Sequence, residues 1–144
     1  GSYLLCSQLC KDYIINKNRK FIFTTALPPV NNCWNLFILK KMPEFLEKRE
    51  KLQELIRYFL SLLKENSIET SSTTHIVSII IGDNRKIIKI AENLKNKGFL
   101  VYGVKEPTVP KGSARFRIGL NPNFSKEVLK RFVKELKYEI NNVL

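Results

Sequence analysis

Two short segments hold the residues best suited to chemistry: Phe21–Pro29, FIFTTALPP, and Glu106–Ile118, EPTVPKGSARFRI. The first offers two adjacent hydroxyls, Thr24 and Thr25, in a backbone pinned downstream by Pro28 and Pro29. Hydroxyls and free backbone N–H groups together can donate several hydrogen bonds to one phosphate. In the second, Pro107 and Pro110 stiffen the chain around Thr108, and Gly112 permits a turn or a close backbone approach. Arg115 and Arg117 stand two apart, so a strand points both to one face. A planar guanidinium takes a carboxylate or phosphate through two parallel bonds. Each segment also has a plainer reading. Threonines are common in strands, and two arginines can simply coat a solvated edge.

Other reactive side chains are few. His75, the single histidine, opens an apolar run and reads as structural; alone it supports no Ser/His/Asp triad. Cys6, Cys10 and Cys33 form an odd, sparse set with no histidine spaced for zinc. Free, buried thiols in a reducing cytoplasm are the expectation.

The elements that must carry these residues follow from periodicity and caps. Tyr3–Leu5 reads as a short strand, and Ser7 caps a helix to about Asn16 with Leu9, Tyr13 and Ile14 on its apolar face. Residues 21–23 read as extended, and Pro28–Pro29 begin a helix that Pro43 interrupts. A longer helix follows, with Leu52, Leu55, Ile56, Phe59, Leu62 and Leu63 on one stripe. After a polar loop at 66–74, the β-branched run 75–81 predicts a strand, and Asp83 and Gly98 bracket a helix with Ile87, Ala91 and Leu94 inward. Strands over 99–104 and 115–120 and a Ser125-capped helix complete a β-α-β-β-α unit. Its natural packing is a small, mostly antiparallel sheet with helices on one face. The expected class is α+β: residues 1–29 the end of a large domain, 30–68 linking helices, and 69–144 a small domain.

The 144 residues carry a net charge of +12. That excess suggests nucleic acid, yet the lysines are scattered, Glu47-Lys48-Arg49-Glu50-Lys51 reads as a solvated helix face, and no zinc-finger or RNA-binding signature appears. A basic nucleic-acid module remains an alternative. No apolar run reaches the roughly 18 residues of a membrane span.

Gly1-Ser2-Tyr3, Cys6-Ser7, Asp12–Asn16 and FIFTTALPP, followed by TVP and an alternating arginine pair, resemble the C-terminal part of the α-oxoamine synthases in order and spacing. The resemblance covers essentially the whole chain, including Ile81-Gly82-Asp83. It implies a fold-type I enzyme dependent on pyridoxal 5'-phosphate, cytoplasmic and homodimeric, that joins an amino acid to an acyl thioester with loss of carbon dioxide. By the same resemblance Thr24 and Thr25 reach the cofactor phosphate of the neighbouring subunit, Thr108 contacts substrate and Arg117 anchors a carboxylate. Arg115 is expected to face solvent or an acid, with a thioester's phosphates as a further option. The lysine that holds the cofactor is expected upstream of Gly1, so the 144 residues alone are expected to be inactive. The wording TTALPP leans toward members that use L-alanine and a pimeloyl thioester, as in biotin synthesis. Members that acetylate glycine or make 5-aminolevulinate stay open.

Overall fold

The computed structural model describes residues 3–22 and 24–143, which divide into two compact units, 1–45 and 46–144. In the first, Ser7 accepts the Cys10 N–H at 3.3 Å and starts α1, Gln8–Lys17. Asn18 closes α1 and opens α2, Arg19–Ile22: its side chain accepts the Lys20 N–H at 3.0 Å and its carbonyl the Phe21 N–H at 2.8 Å. That cap is why Phe21 and Ile22 are helical rather than extended as expected; Phe23 lies outside the described residues. Tyr3–Leu5 forms no strand either, because no described strand pairs with it. Pro29 occupies the first turn of α3, Pro29–Lys41, where its missing N–H costs nothing. A 3₁₀ turn over Met42–Phe45, containing Pro43, follows.

Among the described residues of α1 to α3 none is buried. Leu9, expected on an inward face, is 82% exposed. All three cysteines are exposed as well, contrary to the expectation of buried thiols.

The second unit holds the core. Helix α4, Leu46–Glu65, buries Leu55, Ile56, Phe59, Leu62 and Leu63, and packs on α6, Lys126–Asn142. Ser125 accepts the Val128 N–H and caps α6, whose Leu129, Phe132, Val133 and Leu136 face inward. Asp83 accepts the N–H groups of Arg85 and Lys86, both at 2.8 Å, and caps α5, Asn84–Asn96; Gly98, at φ +88°, ends it. Inward-facing on α5 are Ile87, Ile90 and Leu94, with Ala91 only half-buried.

Strands β1 (Ile76–Gly82), β2 (Gly103–Val104) and β3 (Ala114–Gly119) form an antiparallel sheet in the order β1-β3-β2, so β3 is central. Val77, Ile79, Ala114 and Phe116 are buried in the core, and the α+β class with an antiparallel sheet is as expected. The strand expected over 99–104 shrinks to two residues. A Cβ at Gly103 would stand 2.8 Å from Ile87 Cγ1, and Ile87 is fully buried. Gly103→Ala is therefore expected to lower stability by about 1–3 kcal/mol through overpacking, read as a lower urea midpoint.

One polar cluster joins α5 to α6 around the buried Glu139. Glu139, 4% exposed, accepts Lys97 Nζ and Asn93 Nδ2, each at 2.6 Å, while Glu135 takes a second Lys97 contact at 2.6 Å. The Lys97 ammonium holds the Glu139 carboxyl below its ordinary value of 4.5, against the opposing pull of burial. Glu135 and Glu139 raise Lys97 above 10.5. A carboxyl whose pKa falls on folding stabilises above its unfolded value and loses that contribution as pH drops through the folded one. A raised lysine does the reverse at high pH. Stability from this cluster is thus complete between about pH 4.5 and 10.5 and falls on both sides. Thermal melts across pH check it: Glu139→Gln flattens the acid limb.

Candidate functional site

The arginines owe their positions to the phase of the β1–β3 ladder. The His75 carbonyl accepts the Leu120 N–H at 2.7 Å, so alternate pairs from there are the hydrogen-bonded ones. Ser78 and Arg117 fall between them, as a pair whose Cα atoms approach to roughly 4.5 Å. The outward-facing backbone of Ser78 agrees: its N–H donates to Ser72 Oγ at 3.0 Å and its carbonyl accepts from Thr70 Oγ1 at 2.8 Å. Arg117 is exposed, on the face opposite buried Phe116, and no hydrogen bond or ion pair holds it among the described residues. A guanidinium with all five donors free, on a central strand, is ready for an anion.

Arg115 differs. It is half-buried, lies opposite Ile80 and Val104, and its Nε donates to the Ser113 carbonyl at 3.0 Å. Solvent, one expected partner, reaches it only in part, and no described carboxylate pairs with it.

Thr108 is exposed on the loop joining β2 to β3. Its N–H donates to the Lys105 carbonyl at 2.9 Å, and Ser113 closes the far end on the Pro110 carbonyl, 3.1 Å from N and 2.6 Å from Oγ. Across the middle, a Glu106 carboxylate oxygen accepts the Gly112 N–H at 3.3 Å, with Gly112 at φ +76°. Asn84 Oδ1 in turn accepts the Glu106 N–H at 3.4 Å. Glu106 and Asn84 thus set the loop that carries Thr108. Sequence reading missed both, although an acid six residues before a glycine in a proline-braced loop was a usable signal. His75 is exposed, and its described role is the backbone bond to Leu120.

In the first unit Thr24 and Thr25 are both exposed. The Thr24 hydroxyl donates to the Lys20 carbonyl and lies 3.2 Å from that of Phe21, while its N–H reaches the Phe21 carbonyl at 3.2 Å. Thr24 therefore finishes α2. The hydroxyl of Thr25 is unengaged among the described residues, as are the N–H groups of Thr25, Ala26 and Leu27. That donor set, followed by Pro28, fits a phosphate.

The family model for aminotransferase class I and II matches residues 1–136. A putative 8-amino-7-oxononanoate synthase of Haemophilus influenzae is 35% identical over 133 residues, which is 92% of this chain and 35% of the relative. One from Glaesserella parasuis is 37% identical over 130 residues, 88% and 34% of the two chains. Among solved structures, the 8-amino-7-oxononanoate synthase of Francisella tularensis superposes with a TM-score of 0.78 at 25% identity, over 94% of this chain and 40% of that one. A serine palmitoyltransferase of S. paucimobilis with a bound PLP–myriocin aldimine superposes at 0.77 and 21% identity, over 92% and 34%, and shows the fold alone. The chain spans about a third of the length of the curated relatives it matches. With a family model covering nearly its whole length, this chain belongs to the aminotransferase class I and II family.

Proposed function

We propose that this chain is the C-terminal part of a pyridoxal-phosphate-dependent α-oxoamine synthase that joins L-alanine to a pimeloyl thioester with loss of carbon dioxide. The observation that carries the reading is Arg117: an unengaged guanidinium on the open face of the sheet, in a chain 35% identical to a putative 8-amino-7-oxononanoate synthase. Arg117 binds a substrate or product carboxylate through two N–H donors. Thr108, on the loop held by Glu106, positions the substrate beside it. The Thr25 hydroxyl and the following N–H groups hold the cofactor phosphate of a second subunit, and Thr24 fixes the turn that presents them. Bound pyridoxal phosphate supplies the electron sink that makes a carbanion at the amino acid's α-carbon accessible. Because the lysine implied by the resemblance is not among these 144 residues, the chain alone is expected to turn over no substrate.

The test joins this chain to a polypeptide carrying the preceding two-thirds of the family fold and measures cofactor absorbance and carbon dioxide release. The expected result is release from carboxyl-labelled L-alanine that depends on both polypeptides and on a pimeloyl thioester. Preference for glycine with an acetyl or succinyl thioester moves the chain to the glycine-acetylating or 5-aminolevulinate-forming members. A folded assembly that binds no cofactor and releases nothing overturns the reading.

A further inference from the structure

Arg117 has a second neighbour, on the side away from Ser78. Phe99 and Val101 are half-buried against the core, whereas Leu100 and Tyr102, alternating with them, are exposed. That period of two runs on into β2, where a Cβ at Gly103 would point at Ile87 of α5. Tyr102 therefore stands on the face away from the helices, and it is 74% exposed. The β2–β3 register sets its level. Gly103 pairs with Phe116 and Val104 with Arg115, so one step further along Tyr102 comes beside Arg117. Arg117 thus lies on the open face with Ser78 on one flank and Tyr102 on the other.

Both side chains are donors that lack an acceptor. Among the described residues no hydrogen bond, ion pair or ring contact engages the side chain of Tyr102, and none engages that of Arg117. A phenol and a guanidinium reach similar heights above a sheet, whereas the Ser78 hydroxyl stays close to it. An ionised carboxylate offers about four lone-pair sites, enough for the guanidinium fork and a phenol O–H together.

We propose that Tyr102 is a second ligand for the amino-acid carboxylate: its phenol O–H donates to an oxygen of the carboxylate that Arg117 holds. The inference rests on the reading of Arg117 as a carboxylate anchor and adds a residue to that site. A hydrogen bond to an ionised acceptor is stronger than one to a neutral group, so the phenol favours a carboxylate over an uncharged substituent. A third bond, arriving from one flank, also stops the carboxylate pivoting on the fork and fixes the direction of the α-carbon. Packing of the ring under the preceding part of the fold is the plainer use of an exposed tyrosine. That use needs the ring and not the hydroxyl, so Tyr102→Phe separates the two.

The test uses the two-polypeptide assembly loaded with pyridoxal phosphate. Calorimetry compares its equilibrium binding of L-alanine with that of ethylamine, which is the same molecule without its carboxylate. Tyr102→Phe is expected to weaken L-alanine binding roughly tenfold or more. Ethylamine binding, and the urea midpoint of the 144-residue chain, are expected to stay unchanged, since the position is exposed. Arg117→Ala, measured alongside, separates this inference from the one beneath it. If Arg117→Ala loses L-alanine while Tyr102→Phe binds it as the parent does, the tyrosine assignment is overturned and the carboxylate anchor stands. If Arg117→Ala binds L-alanine as the parent does, or the parent assembly binds none, both are overturned. Equal weakening of L-alanine and ethylamine by Tyr102→Phe gives the residue a packing role and overturns the proposal too.

Discussion

Phe59→Ala is expected to cost about 3–5 kcal/mol of stability, among the largest losses from a single truncation of the described core. Phe59 is fully buried on α4, and its ring lies 6.2 Å from that of Phe132 on α6. Phe132 in turn meets the edge of Phe99 at 5.4 Å. The three rings therefore tie both helices to the segment leading into β2. Surrounding residues such as Leu55, Leu63 and Leu136 are held by neighbouring helices and cannot collapse into the space left behind. Against a total of roughly 0.05–0.15 kcal/mol per residue, a loss of that size removes much of the unit's margin. Urea unfolding followed by circular dichroism gives the comparison, with Leu9→Ala as the control. Leu9 is 82% exposed, so its truncation should move stability by no more than about 0.5 kcal/mol. Equal midpoints for the two variants would show that the core does not sit where the burial pattern puts it.

Why the core was readable in advance and parts of the chain were not comes down to the range of the interactions. Ser7, Asp83 and Ser125 each cap a helix within three residues, and Gly98 ends one locally, so these boundaries follow from short spans of sequence. The stripe on α4 and the alternation Phe116 in, Arg117 out are periodic signals of the same local kind. Strands need a partner, and a partner is not local. Tyr3–Leu5 has the composition of a strand but no described ladder, and residues 99–102 lose theirs where β2 shortens to Gly103–Val104. At 21–22 a local signal was present and overlooked: Asn18 caps α2.

The site divides along the same line. Thr108, Arg115 and Arg117 could be singled out because their types and spacing suit an anion. Arg117 opposite Ser78 could not, since that pairing depends on a register across 39 residues. The resemblance separated the two arginines, but not the physical cause of their difference: Ser113 offers its carbonyl to Arg115 Nε while nothing described reaches Arg117. The same holds for the threonines: only the fold of α2 turns the Thr24 hydroxyl to the Lys20 carbonyl and leaves that of Thr25 free.

Arg117→Ala should separate function from folding more sharply than any other substitution. If Arg117 anchors a carboxylate in the assembled enzyme, truncating it removes two charge-assisted hydrogen bonds and leaves the ligand's charge unanswered, a loss of about 2–5 kcal/mol. Taking roughly 3 kcal/mol, kcat/KM falls about a hundredfold. Arg117→Lys keeps the charge but presents a single point donor in place of a planar fork, so it should recover only part of the loss. Arg115→Ala should cost less, because its Nε is already committed to Ser113. Stability should hardly change with Arg117→Ala: the side chain is exposed and unpaired, and removing it leaves Phe116 and the ladder with β1 in place. An unfolding midpoint within about 0.5 kcal/mol of the parent, together with the kinetic loss, is the expected signature. A large drop in stability, or kinetics indifferent to Arg117 with a carboxylate-bearing substrate, would place the anion elsewhere on the sheet.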